Sequence, residues 1–95
     1  MAPEIEVKTS DVQSKYEFQV TVKDARTSTQ HQVSLSKADY ERLVGGTGAN
    51  PERLVSASFR FLLEREPKES ILRSFDLTVI SRYFPEYERE IVKRL

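Results

Sequence analysis

From Tyr16 to Lys23 apolar and polar side chains alternate strictly: Tyr16, Phe18, Val20 and Val22 on one side, Glu17, Gln19, Thr21 and Lys23 on the other. A period of two places each set on its own face of a strand. The same alternation returns in His31, Val33 and Leu35 against Gln30, Gln32 and Ser34, after a polar stretch from Asp24 to Thr29. Two such runs across a short polar loop predict an antiparallel hairpin with one dry face and one wet face. Ile5 and Val7 alternate with Glu4, Glu6 and Lys8 more briefly, so residues 1–14 read as a loosely ordered arm or a short edge strand.

The pattern changes period downstream. At about 100° per residue, Arg53, Ser56, Ala57, Arg60 and Glu64 fall on one stripe of a helix over 51–66. Leu54, Val55, Phe59, Phe61, Leu62 and Leu63 cover an arc of roughly 200° opposite. A helix so apolar needs neighbours on several sides, which makes it the centre of the core. Its limits are marked chemically. Asn50 can cap and Pro51 fits the first helical position, while Pro67 cannot continue the helix. A smaller helix precedes it, with Ser36 as cap, Asp39 at the capping-box position, Tyr40, Leu43 and Val44 as its apolar ridge, and Gly45-Gly46 as its end.

After Pro67 the pattern predicts a short helix over 68–75 showing Ile71, Leu72 and Phe75, then a second one capped by Asp76 with Leu77, Ile80 and Phe84 in line. Pro85 opens a last helix on which Tyr87, Ile91 and Leu95 follow one turn apart. The expected fold is therefore α+β in a single domain over 1–95. An antiparallel hairpin of 2–3 strands is packed on one face by about four helices, with the helix over 51–66 central.

Composition narrows the chemistry. The 95 residues carry 15 basic and 15 acidic side chains, an even balance that disfavours broad phosphate-backbone binding. There is no cysteine, so thiolate metal sites, disulfides and cysteine nucleophiles are excluded, and a reducing cytoplasm is the natural setting. The start of the chain does not read as a signal peptide, and no stretch approaches the ~20 apolar residues of a membrane span. His31 is the single histidine and reads as a partly buried residue at the sheet margin, so neither catalysis nor a cofactor or metal is expected. Gly45-Gly46-Thr47-Gly48 lacks the lysine of a phosphate loop and reads as cap and hinge. Surface carboxylates read as ion-paired, with Arg60–Glu64 and Glu90–Arg94 at the helical spacing of four.

Two constellations remain. Arg82-Tyr83-Phe84-Pro85-Glu86-Tyr87 is the densest aromatic cluster, and Arg82, Tyr83 and Tyr87 are residue types favoured at protein contacts. Residues 70–85 have the outline of a helix-turn-helix, in which Arg73, Thr78, Ser81 and Arg82 would meet nucleic acid. Pro85 and the acids Glu86, Glu88 and Glu90 disfavour that alternative. The run PERLVSASFRFLLEREPKESILRSFDLTVISRYFPEYEREI, preceded by LSKADYERLVGG, resembles a group of short prokaryotic proteins of about this length and of unknown function. That resemblance implies a free-standing bacterial or archaeal cytoplasmic protein and no particular activity. The sequence thus points to a small, non-enzymatic protein-interaction or accessory module. A homodimer is compatible with it, because a hairpin exposes its edges.

Overall fold

The computed structural model describes residues 3–95. Strands β1 (Glu4–Val12), β2 (Lys15–Lys23) and β3 (Ser28–Ser36) form an antiparallel meander. A short β4 (Ser74–Asp76) then pairs with β3 in parallel, so the sheet runs in the order β1-β2-β3-β4 and is mixed. The α+β class holds, but with four strands among the described residues rather than a hairpin of 2–3.

The first strand corrects the expectation for residues 1–14: from Glu4 on they are neither loose nor a brief edge. β1 pairs with β2 over its whole length, from Glu4↔Lys23 to Val12↔Lys15, across a turn of Gln13 and Ser14 in which Gln13 takes φ 58°. Its inward residues Ile5, Val7 and Thr9 are only half-buried, and with Thr9 and Asp11 at inward positions the apolar alternation stops after Val7. Met1 and Ala2 lie outside the described residues.

On β2 and β3 the predicted parity is observed. Phe18, Val20, Val22, His31, Val33 and Leu35 are buried, while Gln19, Lys23, Gln30 and Gln32 are exposed on the outer face. Helix α1 (Lys37–Val44) begins where Ser36 Oγ accepts the Asp39 amide at 3.0 Å and ends at Gly45 with φ 54°. Helix α2 (Pro51–Leu63) begins where Asn50 Oδ1 accepts the Arg53 amide at 2.8 Å. Its helical residues stop at Leu63 rather than at 66. Leu54, Val55, Phe59, Phe61 and Leu62 are buried, as the wide apolar arc demanded; each such burial is worth about 1.5–3 kcal/mol.

The segment after Pro67 departs most from expectation. In place of a helix over 68–75 there is one 3₁₀ turn, Lys68–Ser70, followed by extended chain and β4. The reason is non-local. The Gln32 amide donates to Arg73 O at 2.7 Å, and His31 Nδ1 lies 2.8 Å from Leu72 O, so β3 satisfies the backbone that a helix would have satisfied internally. Asp76 then caps, as predicted, accepting the Thr78 amide at 3.1 Å. The turn it caps is 3₁₀ (Leu77–Val79) and leads into a short α3 (Ile80–Tyr83). Helix α4 (Tyr87–Lys93) packs Tyr87 and Ile91 into the core. No helix among the described residues is long and apolar enough to cross a membrane.

Candidate functional site

Two chain breaks shape a cleft at the far end of α2. Pro67 ends the run begun by α2 and turns the chain back beneath it, placing Ile71 and Leu72 beside Leu62. Pro85 forces Phe84 out of helical geometry, to φ −131° and ψ 89°, so α3 stops there and its aromatic ring turns against Phe61 at a centroid distance of 5.9 Å. Between these breaks lies an open cleft of about 200 Å³, with Leu62, Ile71, Phe75, Ile80 and Phe84 in its walls. Leu72 and Tyr83 stand at its rim and are the two large residues there most open to solvent, at 48% and 67%. Glu66 and Ser70 supply its polar edge.

Of the residues expected to meet a protein partner, Arg82 and Tyr83 are indeed exposed on α3. Tyr87 is not: it is fully buried, with its ring edge-on to Phe61 at 5.3 Å and its hydroxyl 2.6 Å from Ser58 Oγ. Ser58 Oγ donates to Leu54 O at 2.7 Å, so the phenol must be the donor to Ser58. Burial pushes the Tyr87 phenol well above the ordinary tyrosine range. Tyr87 is a core residue, and its alignment with Ile91 and Leu95 was the signal for that.

The residues grouped for nucleic acid do not form a two-helix reading head, because 70–85 starts at the last residue of one 3₁₀ turn and runs through extended chain, a strand and a second 3₁₀ turn before α3. Thr78 is committed to Asp76, with Oγ1 donating at 2.6 Å, and Ser81 Oγ donates to Glu88 Oε2 at 3.3 Å. Arg73 lines a hollow with Gln19, Gln30 and Gln32 on the polar sheet face, and Arg82 takes no part in it.

His31 is structural. Leu72 O can only accept, so Nδ1 carries the proton, and Thr29 Oγ1 donates to Nε2 at 2.8 Å. With the ring 2% exposed and 5.3 Å from the Phe59 ring, neither nitrogen is free to meet a substrate. Among the described residues no cluster of three or more His, Asp or Glu is arranged to hold a metal ion.

Sequence reasoning also missed a buried cation. Lys68 Nζ sits 2.6 Å from both Asp24 Oδ2 and Glu69 Oε2, tying the β2–β3 turn to the 3₁₀ turn after Pro67. Lys68 holds the Asp24 carboxyl far below the usual carboxylate range, helped by the Thr27 and Arg26 amides that Oδ1 accepts at 2.9 and 2.8 Å. Glu69 is lowered by the same ammonium, and Lys68 is raised in turn. The expected i, i+4 pairs give way to a longer-range one: Arg94 makes a two-pronged contact with Glu64, both arms 2.7 Å, joining α4 to the end of α2.

No family model matches the chain, and neither a curated protein nor a solved structure shows significant similarity to it.

Proposed function

We propose that the chain is a non-enzymatic protein-interaction module whose contact site is the cleft between α2 and α3. The observation that carries this reading is the rim: Leu72 and Tyr83 stand in solvent beside an apolar hollow, where burying them would release bound water. Size favours a side chain over a metabolite. About 200 Å³ lies below the roughly 300–1,000 Å³ of small-molecule sites and suits one large apolar residue of a partner chain. The neighbouring Arg82 and the tyrosine itself are residue types enriched at binding hot spots. The engagement of both nitrogens of His31 supports a non-enzymatic role. The cysteine-free composition supports a cytoplasmic setting.

The test is selection of peptides from a displayed random library on the intact chain, followed by calorimetric titration of the winners. The expected winners carry a bulky apolar anchor, and Tyr83→Ala weakens them at least about tenfold. Because Tyr83 is exposed, that variant should stay within about 0.5 kcal/mol of the parent in stability. Winners that bind Tyr83→Ala as well as the parent, or a library that yields none, would overturn the reading.

A further inference from the structure

The sheet has two unlike edges. At one end β4 is three residues long. At the other, β1 offers nine residues in unbroken register, without a bulge and without proline inside it. Of its four charges, Glu4, Glu6 and Lys8 alternate with the half-buried Ile5, Val7 and Thr9 and lie on the polar face. Asp11 alone shares the side of Ile5 and Val7, and it sits exposed beside the turn, paired with Lys37 at 2.7 Å, away from the middle of the edge. The usual guards of an edge strand are therefore sparse.

The pairing direction of each β1 residue follows from the turn. A two-residue loop closes on a hydrogen-bonded pair, here Val12 and Lys15, and the pattern alternates from there. Glu4, Glu6, Lys8, Ser10 and Val12 thus exchange bonds with β2, while Ile5, Val7, Thr9 and Asp11 turn their N–H and C=O groups to the open side.

We propose that this edge is the interface of a homodimer, in which β1 pairs antiparallel with β1 of a second copy about a two-fold axis through Val7. In that register Val7 faces Val7 and Ile5 faces Thr9 on the inner side, forming about six backbone hydrogen bonds. On the polar side Glu6 faces Lys8 twice, once on each side of the axis. The neighbouring symmetric registers are worse: centring on Lys8 sets lysine against lysine, centring on Glu6 sets glutamate against glutamate, and centring on Thr9 leaves Glu6 opposite Val12. Charge complementarity therefore selects both the occupant and its alignment. Lys23, 3.8 Å from Glu6 within one copy, would steady the same carboxylate. The two four-stranded sheets merge into one, with both helix layers on the same side. The interface is at the opposite edge of the sheet from β4 and does not rest on the reading of the cleft.

Sedimentation velocity on the full chain from about 1 μM to about 1 mM tests this. The parent should approach twice 11.0 kDa with rising concentration. Glu6→Lys and Lys8→Glu each place like charges across the axis and should weaken the dimer at least about tenfold, whereas the double variant Glu6→Lys/Lys8→Glu should restore it. Far-UV circular dichroism verifies that each variant is folded. As an independent readout, Val7→Cys in this cysteine-free chain should oxidise to a covalent dimer, since hydrogen-bonded partners about 5.5 Å apart lie within disulfide reach. A parent that stays monomeric throughout, a dimer indifferent to single reversals, a double variant that does not recover, or a Val7→Cys chain that fails to cross-link would each overturn the proposal.

Discussion

The hydroxyl relay from Tyr87 through Ser58 to Leu54 converts the burial of α4 into numbers. Ser58 has one proton, and it goes to Leu54 O at 2.7 Å; the phenol, 2.6 Å away, supplies its own. Tyr87→Phe therefore deletes one neutral hydrogen bond and leaves Ser58 still donating, at a cost of about 1 kcal/mol. Ser58→Ala does something different. It strands a phenolic hydroxyl at a site with 0% exposure and should cost about 1–3 kcal/mol. Removing both groups leaves nothing unpaired, so the double variant should cost about 1 kcal/mol less than the sum of the singles. Tyr87→Ala opens a cavity beneath Phe61 and should cost about 3–5 kcal/mol. Urea titrations followed by far-UV circular dichroism measure all four, and for a chain of 95 residues each kcal/mol also moves Tm by about 4–8 °C. Strict additivity of Ser58→Ala and Tyr87→Phe would refute the relay. A Tyr87→Ala loss below about 1 kcal/mol would refute the burial itself. Because burial raises the phenol's pKa, its contribution is complete below about pH 10 and declines as pH climbs toward the folded value; ultraviolet titration should show Tyr87 ionising well above the ordinary tyrosine range and Tyr40, also raised by burial, before it.

Two further outcomes are expected. His31→Ala should cost about 2–4 kcal/mol, through the lost Phe59 packing and the unpaired Leu72 carbonyl, and should raise amide exchange first around 72–76; in the parent, nitrogen NMR should find the ring proton on Nδ1. The Asp24–Lys68–Glu69 cluster sets a pH window. The two carboxyls have lowered pKa values, so their contribution is full above the unfolded value near 4 and is lost as pH falls through the folded ones, while that of Lys68, which is raised, is lost only as pH rises beyond about 10.5. Asp24→Asn should flatten the acid limb of a stability-against-pH curve, and an unchanged limb would show that the cluster is not responsible.

What could be read in advance was local. Ser36 and Asn50 capped as expected because a cap needs only its own first turn, and Phe18 to Leu35 kept their parity because alternation is a property of the strand alone. The C-terminal half misled where partners distant in sequence decided. Ser74–Asp76 became a strand because β3 offered free hydrogen-bonding groups there, a fact invisible in residues 68–76. Lys68 was buried by a carboxylate forty-four positions away. Of the cleft, Tyr83 was singled out in advance, together with the buried Tyr87, but Leu72 was not, since a helix over 68–75 would have turned it inward.

The parallel strand carries a consequence for the order of assembly. The meander closes through neighbours: Val12 meets Lys15, and Lys23 meets Ser28. β4 instead has to find Gln32, Val33 and Ser34 across the length of both major helices, with His31 and Leu72 forty-one positions apart. Ring closure over that span is entropically slow beside the hairpins. During synthesis the three antiparallel strands leave the ribosome first, and their oily underside stays bare until α2 arrives to sheathe it. The seam at β4 then has to be drawn late, and the cleft beside it exists only once that seam and α3 are both in place.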